Sequence, residues 1–215
     1  MKPNKVPRIF RRRQGQAYLI LVSGLPRSGT SLMMNMLQSG GIPIQTDNQR
    51  KADPDNPTGY FELERVKKIP EGDTAWLSKH HGKAIKIVAP IISCLPDDLE
   101  YKVIFMQRDL DEILASQAQM LSNRYRCVDK EQDLVLKRIF QESIKSVQAY
   151  MAQQPNFSFL PCSYSNIVKD PMPEIIMIEE YLNIRLEKRN MAECVDPGLY
   201  RQRKSQLPKM NLFPG

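Results

Sequence analysis

Residues 17–41, AYLILVSGLPRSGTSLMMNMLQSGG, constrain the fold more than any other stretch of this 215-residue chain. AYLILVSG is an uncharged run of strand length rich in branched residues, the pattern of a strand buried on both faces. Leu32, Met33, Met36 and Leu37 then recur at helical spacing until Gly40 and Gly41. Strand, tight loop and helix in that order are the first half of a βαβ unit, and a chain that opens this way is committed to a crossover and a parallel neighbour.

The remaining chain keeps the alternation. Ile42 to Gln45 reads as a short second strand, and Thr46 to Gly59, with DPDNPTG, as a long polar loop suited to rim a site. YFELERVKK reads as a helix start. Ala84 to Ala89 and Lys102 to Gln107 read as strands, and Asp109 to Ser122 as a helix with acidic residues in its first turn. Asp129 to Gln153 places Leu136, Phe140, Ile144, Val147 and Met151 on one face of a long helix. FSFLPCS is a last strand and Pro171 to Leu182 a last helix. The order predicts an α/β protein of three layers, a mainly parallel central sheet flanked by helices, with ligands at the carboxyl ends of the strands.

The net charge of +7 is concentrated at the ends: residues 17–199 carry 21 basic and 24 acidic side chains, whereas the first and last sixteen residues carry ten basic and no acidic ones. This divides the chain into a basic N-terminal arm (1–16), a single α/β domain (17–193) and a basic C-terminal tail (194–215). A pI raised by two tails is not the basic stripe that nucleic acid requires, so nucleic acid is not the expected partner. Cys94, Cys127, Cys162 and Cys194 stand far apart with no histidine at ligand spacing, which predicts neither a zinc site nor a disulfide framework. No apolar run is long enough to span a membrane, and the expected location is cytoplasmic.

GLPRSGTS (Gly24 to Ser31) sets two glycines five apart between strand and helix, the spacing that lets backbone N–H groups wrap a phosphate. A nucleotide triphosphatase loop carries lysine after the second glycine; here that position is Thr30, and the nearest cation is Arg27 upstream. Arg108 ends the strand Lys102 to Gln107, so in a parallel sheet it shares the mouth of the loop, and Ser116 lies two turns into the following helix.

PRSGTS resembles the phosphosulfate loop, P-[K/R]-S-G-[T/S]-[T/S], of sulfotransferases that use 3'-phosphoadenosine-5'-phosphosulfate (PAPS) and release adenosine 3',5'-bisphosphate (PAP). VIFMQRDLDEILAS is similar to that family's 3'-phosphate element, an arginine followed by a serine eight residues later. CSYSNIVKDP is similar to its Y-x-[D/N]-[L/I]-x-x-x-P stretch. Together these matches run from residue 17 to about 183 and imply a P-loop-type fold. The resemblance implies that Arg27 neutralises the leaving group, and that Arg27, Ser28, Gly29, Thr30 and Ser31 hold the 5'-phosphosulfate. Arg108 and Ser116 would hold the 3'-phosphate. It implies no metal. The acceptor it implies is a hydroxyl or amine on a small molecule, peptide or carbohydrate.

The acceptor needs a base, for which Asp47, Glu62, Glu64, His80 and His81 are candidates. Glu62 is preferred because some sulfotransferases use glutamate and its loop would line the acceptor side. Lys86 lies where it would reach the cleft, and Tyr60, Phe61 and Trp76 are candidates for an apolar acceptor wall or for core. The family's cytosolic branch carries Arg-Lys-Gly near its C-terminus; here Arg203, Lys204 and Ser205 follow Arg201, and their role is open. A P-loop nucleotide kinase or NTPase and a non-catalytic nucleotide-binding protein are the alternatives, with the missing lysine after Gly29 set against the first.

Overall fold

The computed structural model describes residues 18–54, 56–125 and 131–202. The N-terminal arm, Cys127, Asp129, Arg203 and Lys204 lie outside them. Five strands, β1 (Tyr18–Gly24), β2 (Ile44–Gln45), β3 (Ala84–Lys86), β4 (Glu100–Gln107) and β5 (Phe157–Ser163), form one sheet in the order β2-β3-β1-β4-β5. Every pair is parallel. The expected mainly parallel sheet is therefore wholly parallel.

The apolar run of β1 occupies the centre because both faces must be covered. Ile20 and Val22 pack on one side with Met33, Met36 and Leu37 of α1 (Thr30–Ser39) and with α4 (Tyr164–Lys169), α5 (Pro171–Leu182) and α6 (Lys188–Glu193). Leu19 and Leu21 face the other side, against Val147 and Met151 of α3 (Glu131–Gln153) and the 3₁₀ turns Glu64–Glu71, Leu77–His80 and Ala89–Cys94. A side chain of this size is worth roughly 1.5–3 kcal/mol when fully buried, so β1 alone anchors both halves of the core. Trp76, buried with its indole N–H on Asp73 O at 2.9 Å, belongs to this second half.

α2 (Leu110–Tyr125) starts where β4 ends, with Asp109 as its cap: the Asp111 N–H donates to Asp109 Oδ1 at 2.9 Å. Only the C-terminal half of α3 reaches the sheet; Leu134, Val135 and Ile139 near its start are exposed. The helix expected from YFELERVKK begins only at Glu64 and stays 3₁₀, because Phe61 sits at φ 52° and Pro70 lacks an N–H. No helix among the described residues is long and apolar enough to cross a membrane.

Candidate functional site

The parallel register brings the carboxyl ends of β1, β3 and β4 to one edge, and there a cavity of about 490 Å³ opens. Its floor is the loop between β1 and α1. Gly24, Arg27 and Gly29 take φ of 147°, 70° and 99°. Gly29 has no substitute: a Cβ there would lie 2.4 Å from the Tyr164 ring. One at Gly24 would meet Ser28 Oγ at 2.6 Å and Met106 O at 2.8 Å. Arg27 holds a left-handed conformation as a non-glycine, a strain on the order of 1–3 kcal/mol of the kind concentrated at functional loops.

Gly29 caps α1 without any side-chain hydrogen bond, so no side chain competes for the first-turn amides, and Gly29, Thr30 and Ser31 all line the cavity. The Ser28 N–H instead closes a turn on Leu25 O at 3.2 Å, and its hydroxyl is buried with no partner. Arg27 Nε donates to Ser116 Oγ at 3.0 Å, joining the loop to α2. Arg108 joins them again: its terminal nitrogens donate to Arg27 O at 3.1 Å and Gln202 O at 3.0 Å, and its Nε pairs with Glu112 at 3.1 Å. The side chains of Arg27, Arg108 and Ser116 thus converge on one cavity.

At the other end stand Glu62 and Lys86. Lys86 Nζ donates to Tyr60 O at 2.8 Å and Ser31 Oγ at 3.1 Å and lies 3.5 Å from Glu62 Oε1. Burial pulls its pKa below the ordinary lysine value, while Glu62 pushes the other way. Arg50 contacts both Glu62 oxygens at 3.3 Å and covers the Tyr60 ring at 3.4 Å. The Glu62 main chain is fixed from below, its carbonyl accepting from Asp47 N and Thr46 Oγ1.

Of the five candidate bases, Glu62 alone lines the cavity. Asp47 caps the chain at Gln49 and Glu64, bonds that hold its carboxyl below the usual carboxylate range, and Glu64 pairs with Lys67. His80 packs edge-on against Trp76, and burial lowers its pKa; neither it nor His81 borders the cavity. Of the three candidate aromatics Tyr60 lines the cavity, with its hydroxyl turned to Asp53, whereas Phe61 packs on the first core cluster and Trp76 lies in the second.

A sulfotransferase domain model matches residues 19–207. The chain belongs to the sulfotransferase family. Solved structures agree in fold. The Mycobacterium tuberculosis sulfotransferase superposes with a TM-score of 0.55 at 13% identity, over 83% of this chain and 71% of that one. The sulfotransferase domain of the curacin biosynthetic pathway gives 0.54 at 14% identity, over 91% and 93%. That of the Synechococcus PCC 7002 olefin synthase gives 0.53 at 14%, over 93% of each. No match was found among curated protein sequences.

Within this sulfotransferase-family site several participants had no part in the sequence reading. Glu112 sits in the first turn of α2, four residues after Arg108 just past the end of β4, close enough in sequence to signal a pair. Asn56, whose Nδ2 bonds Ser31 Oγ at 3.0 Å, and Tyr200, whose hydroxyl bonds Glu112 at 2.6 Å, gave no such signal because their partners are remote in sequence.

Proposed function

We propose that this protein transfers a sulfuryl group from PAPS to a hydroxyl or amine acceptor. The observation that carries the reading is the convergence of Arg27, Arg108 and Ser116 on a glycine-shaped loop that lacks the triphosphatase lysine. The residues fit the donor. The loop leaves uncapped amides at the start of α1, and cations stand at two separate points of the same cavity. When bound, PAPS supplies the sulfuryl group and a nucleotide leaving group.

In this reading Gly29, Thr30 and Ser31 hold the 5' side through amides and hydroxyls, and Arg108 with Ser116 holds the 3'-phosphate. Arg27 meets the charge that develops on the departing oxygen, and its bond to Ser116 keeps its long side chain oriented beforehand. Glu62 takes the acceptor proton. Lys86 holds Glu62 beside the Ser31 hydroxyl and so sets the distance between base and donor. Asp109 caps α2 and does not line the cavity, which weighs against the strand-end magnesium ligand of a kinase reading.

Titration calorimetry of the full chain with PAP, ATP and GTP tests the proposal. PAP binding much tighter than either triphosphate, with or without magnesium, is the expected result. Equal affinities, or binding that depends on magnesium, would return the chain to the nucleotide kinase reading.

A further inference from the structure

Arg108 is not a loose cation awaiting an anion. Its Nε and both terminal nitrogens already donate, to Glu112, Arg27 O and Gln202 O. A guanidinium has five N–H groups, so one remains on each terminal nitrogen. The Arg108 and Glu112 side chains are 7% and 5% exposed. The rings of Tyr164 and Tyr200 lie 4.5 and 5.3 Å from the centre of the guanidinium and, with their own centroids 5.2 Å apart, pack edge to face beside it. The Tyr200 hydroxyl donates to Glu112 Oε1 at 2.6 Å while Glu112 Oε2 faces Arg108. Burial together with the neighbouring Glu112 pushes the Tyr200 hydroxyl up to about 12, so it keeps the proton it donates.

For stability alone such a pair is a poor device. Desolvating two charges roughly cancels their attraction, and apolar residues of the same size would serve as well. For attracting an anion it is also costly, because Glu112 offsets the charge of Arg108. What the arrangement does provide is orientation. A planar fork held at its Nε and at both terminal nitrogens, and packed against two aromatic rings, keeps its plane and so its two remaining N–H groups in a fixed orientation.

We propose that Glu112 and Tyr200 are positioning residues that lock the plane of Arg108 for the 3'-phosphate, and that the segment Pro197–Gln202 is thereby part of the donor site. This rests on the PAPS reading above. The segment contributes at two points, the Tyr200 side chain and the Gln202 carbonyl, so the orientation of Arg108 depends on how this segment is seated. The selectivity for a 3'-phosphorylated nucleotide then depends on a tyrosine that need not touch the ligand.

The test measures PAP and AMP affinities and melting temperature for the wild-type chain, Tyr200→Phe, Glu112→Asp, their double variant and Glu112→Gln. Tyr200→Phe keeps the ring and removes one hydrogen bond; Glu112→Asp keeps the charge and shortens its reach. Each should lower the preference for PAP over AMP by about threefold to tenfold, the size of one such bond, with AMP binding unchanged. The double variant should lose little more than either alone, since both break one latch. Three results would overturn the proposal: a preference left at the wild-type value, a lower melting temperature as the sole effect, or tighter PAP binding by Glu112→Gln. The last would make Glu112 a simple counter-ion. Failure of the wild-type chain itself to prefer PAP would bring down the donor reading first.

Discussion

At the phosphate-loop end, the cavity is walled by strand ends and helix starts, and Thr30 and Ser116 are 8% and 7% exposed. At the other end the wall is the loop from Thr46 to Leu63, where the side chains of Arg50 and Glu62 are 39% and 31% exposed. The first end is held by the register of β1 and β4 and by core packing beneath them. The second is held by its own side chains: Asp53 on Tyr60, Asn56 on Gly59 O, Thr46 on Glu62 O. A wall fixed by backbone and core keeps its shape when surface residues change, whereas a wall fixed by exposed side chains can be rebuilt by a few substitutions. Under the proposed function the first end takes the donor and the second the acceptor.

If that contrast is right, the deepest losses come from the phosphate-loop end. Arg27→Ala should lower turnover by about a hundredfold to a thousandfold, the cost of removing one preorganised partner of developing charge. PAP affinity should change far less, because that charge develops only in the transition state. Turnover is read as PAP released from PAPS in the presence of a hydroxyl acceptor, and affinity by calorimetry. Parallel losses in both would make Arg27 an anchor and not a catalytic residue. Next in size, Arg108→Ala should weaken PAP by about tenfold to a hundredfold through loss of a charge-assisted bond, and AMP much less. Gly29→Ala should cost on the order of 1–3 kcal/mol in urea unfolding, since φ is 99° there and the new methyl meets the Tyr164 ring. A variant as stable as wild type would mean that the loop yields, against the rigidity claimed for this end.

The sequence made one end far more legible than the other, for the same physical reason. Between Gly24 and Ser31 the chemistry is local: two glycines, a missing lysine and a following helix lie within one stretch, and local spacing is what a sequence displays. Arg108 and Ser116 share the mouth because a strand end and a helix start are contiguous in the chain. The contact between Ser116 and Arg27, 89 residues apart, depends on strand order. At the loop end the Arg50–Glu62 and Lys86–Ser31 contacts also depend on how the crossover packs, and no period announces them. Trp76 and Phe61, open in the sequence between an acceptor wall and the core, turn to the core. Their aromatic character suited an acceptor wall, but an apolar ring in a crossover finds its partners in the core first.

The smallest expected effect tests the loop end from within. Lys86 is nearly buried, and its ammonium contacts Ser31 Oγ, Tyr60 O and Glu62. The desolvation of that charge and the bonds it makes oppose each other. Replacing it by methionine, of similar length and apolar, should therefore change stability near pH 7 by no more than about 1 kcal/mol, with a gain as acceptable as a loss. A pH series separates balance from indifference. The pKa of Lys86 is lowered in the folded chain, so between that value and the ordinary one near 10.5 the unfolded chain holds more protons. Wild-type stability should then gain on that of Lys86→Met as pH rises toward 10.5, because the wild type sheds the cost of its buried charge and the variant has none to shed. Urea unfolding of the two proteins at pH 7, 9 and 10 measures the difference. A gap that stays constant across that range would show that Lys86 carries no desolvation cost, and the loop end would then be as solvent-like as its exposed arginine suggests.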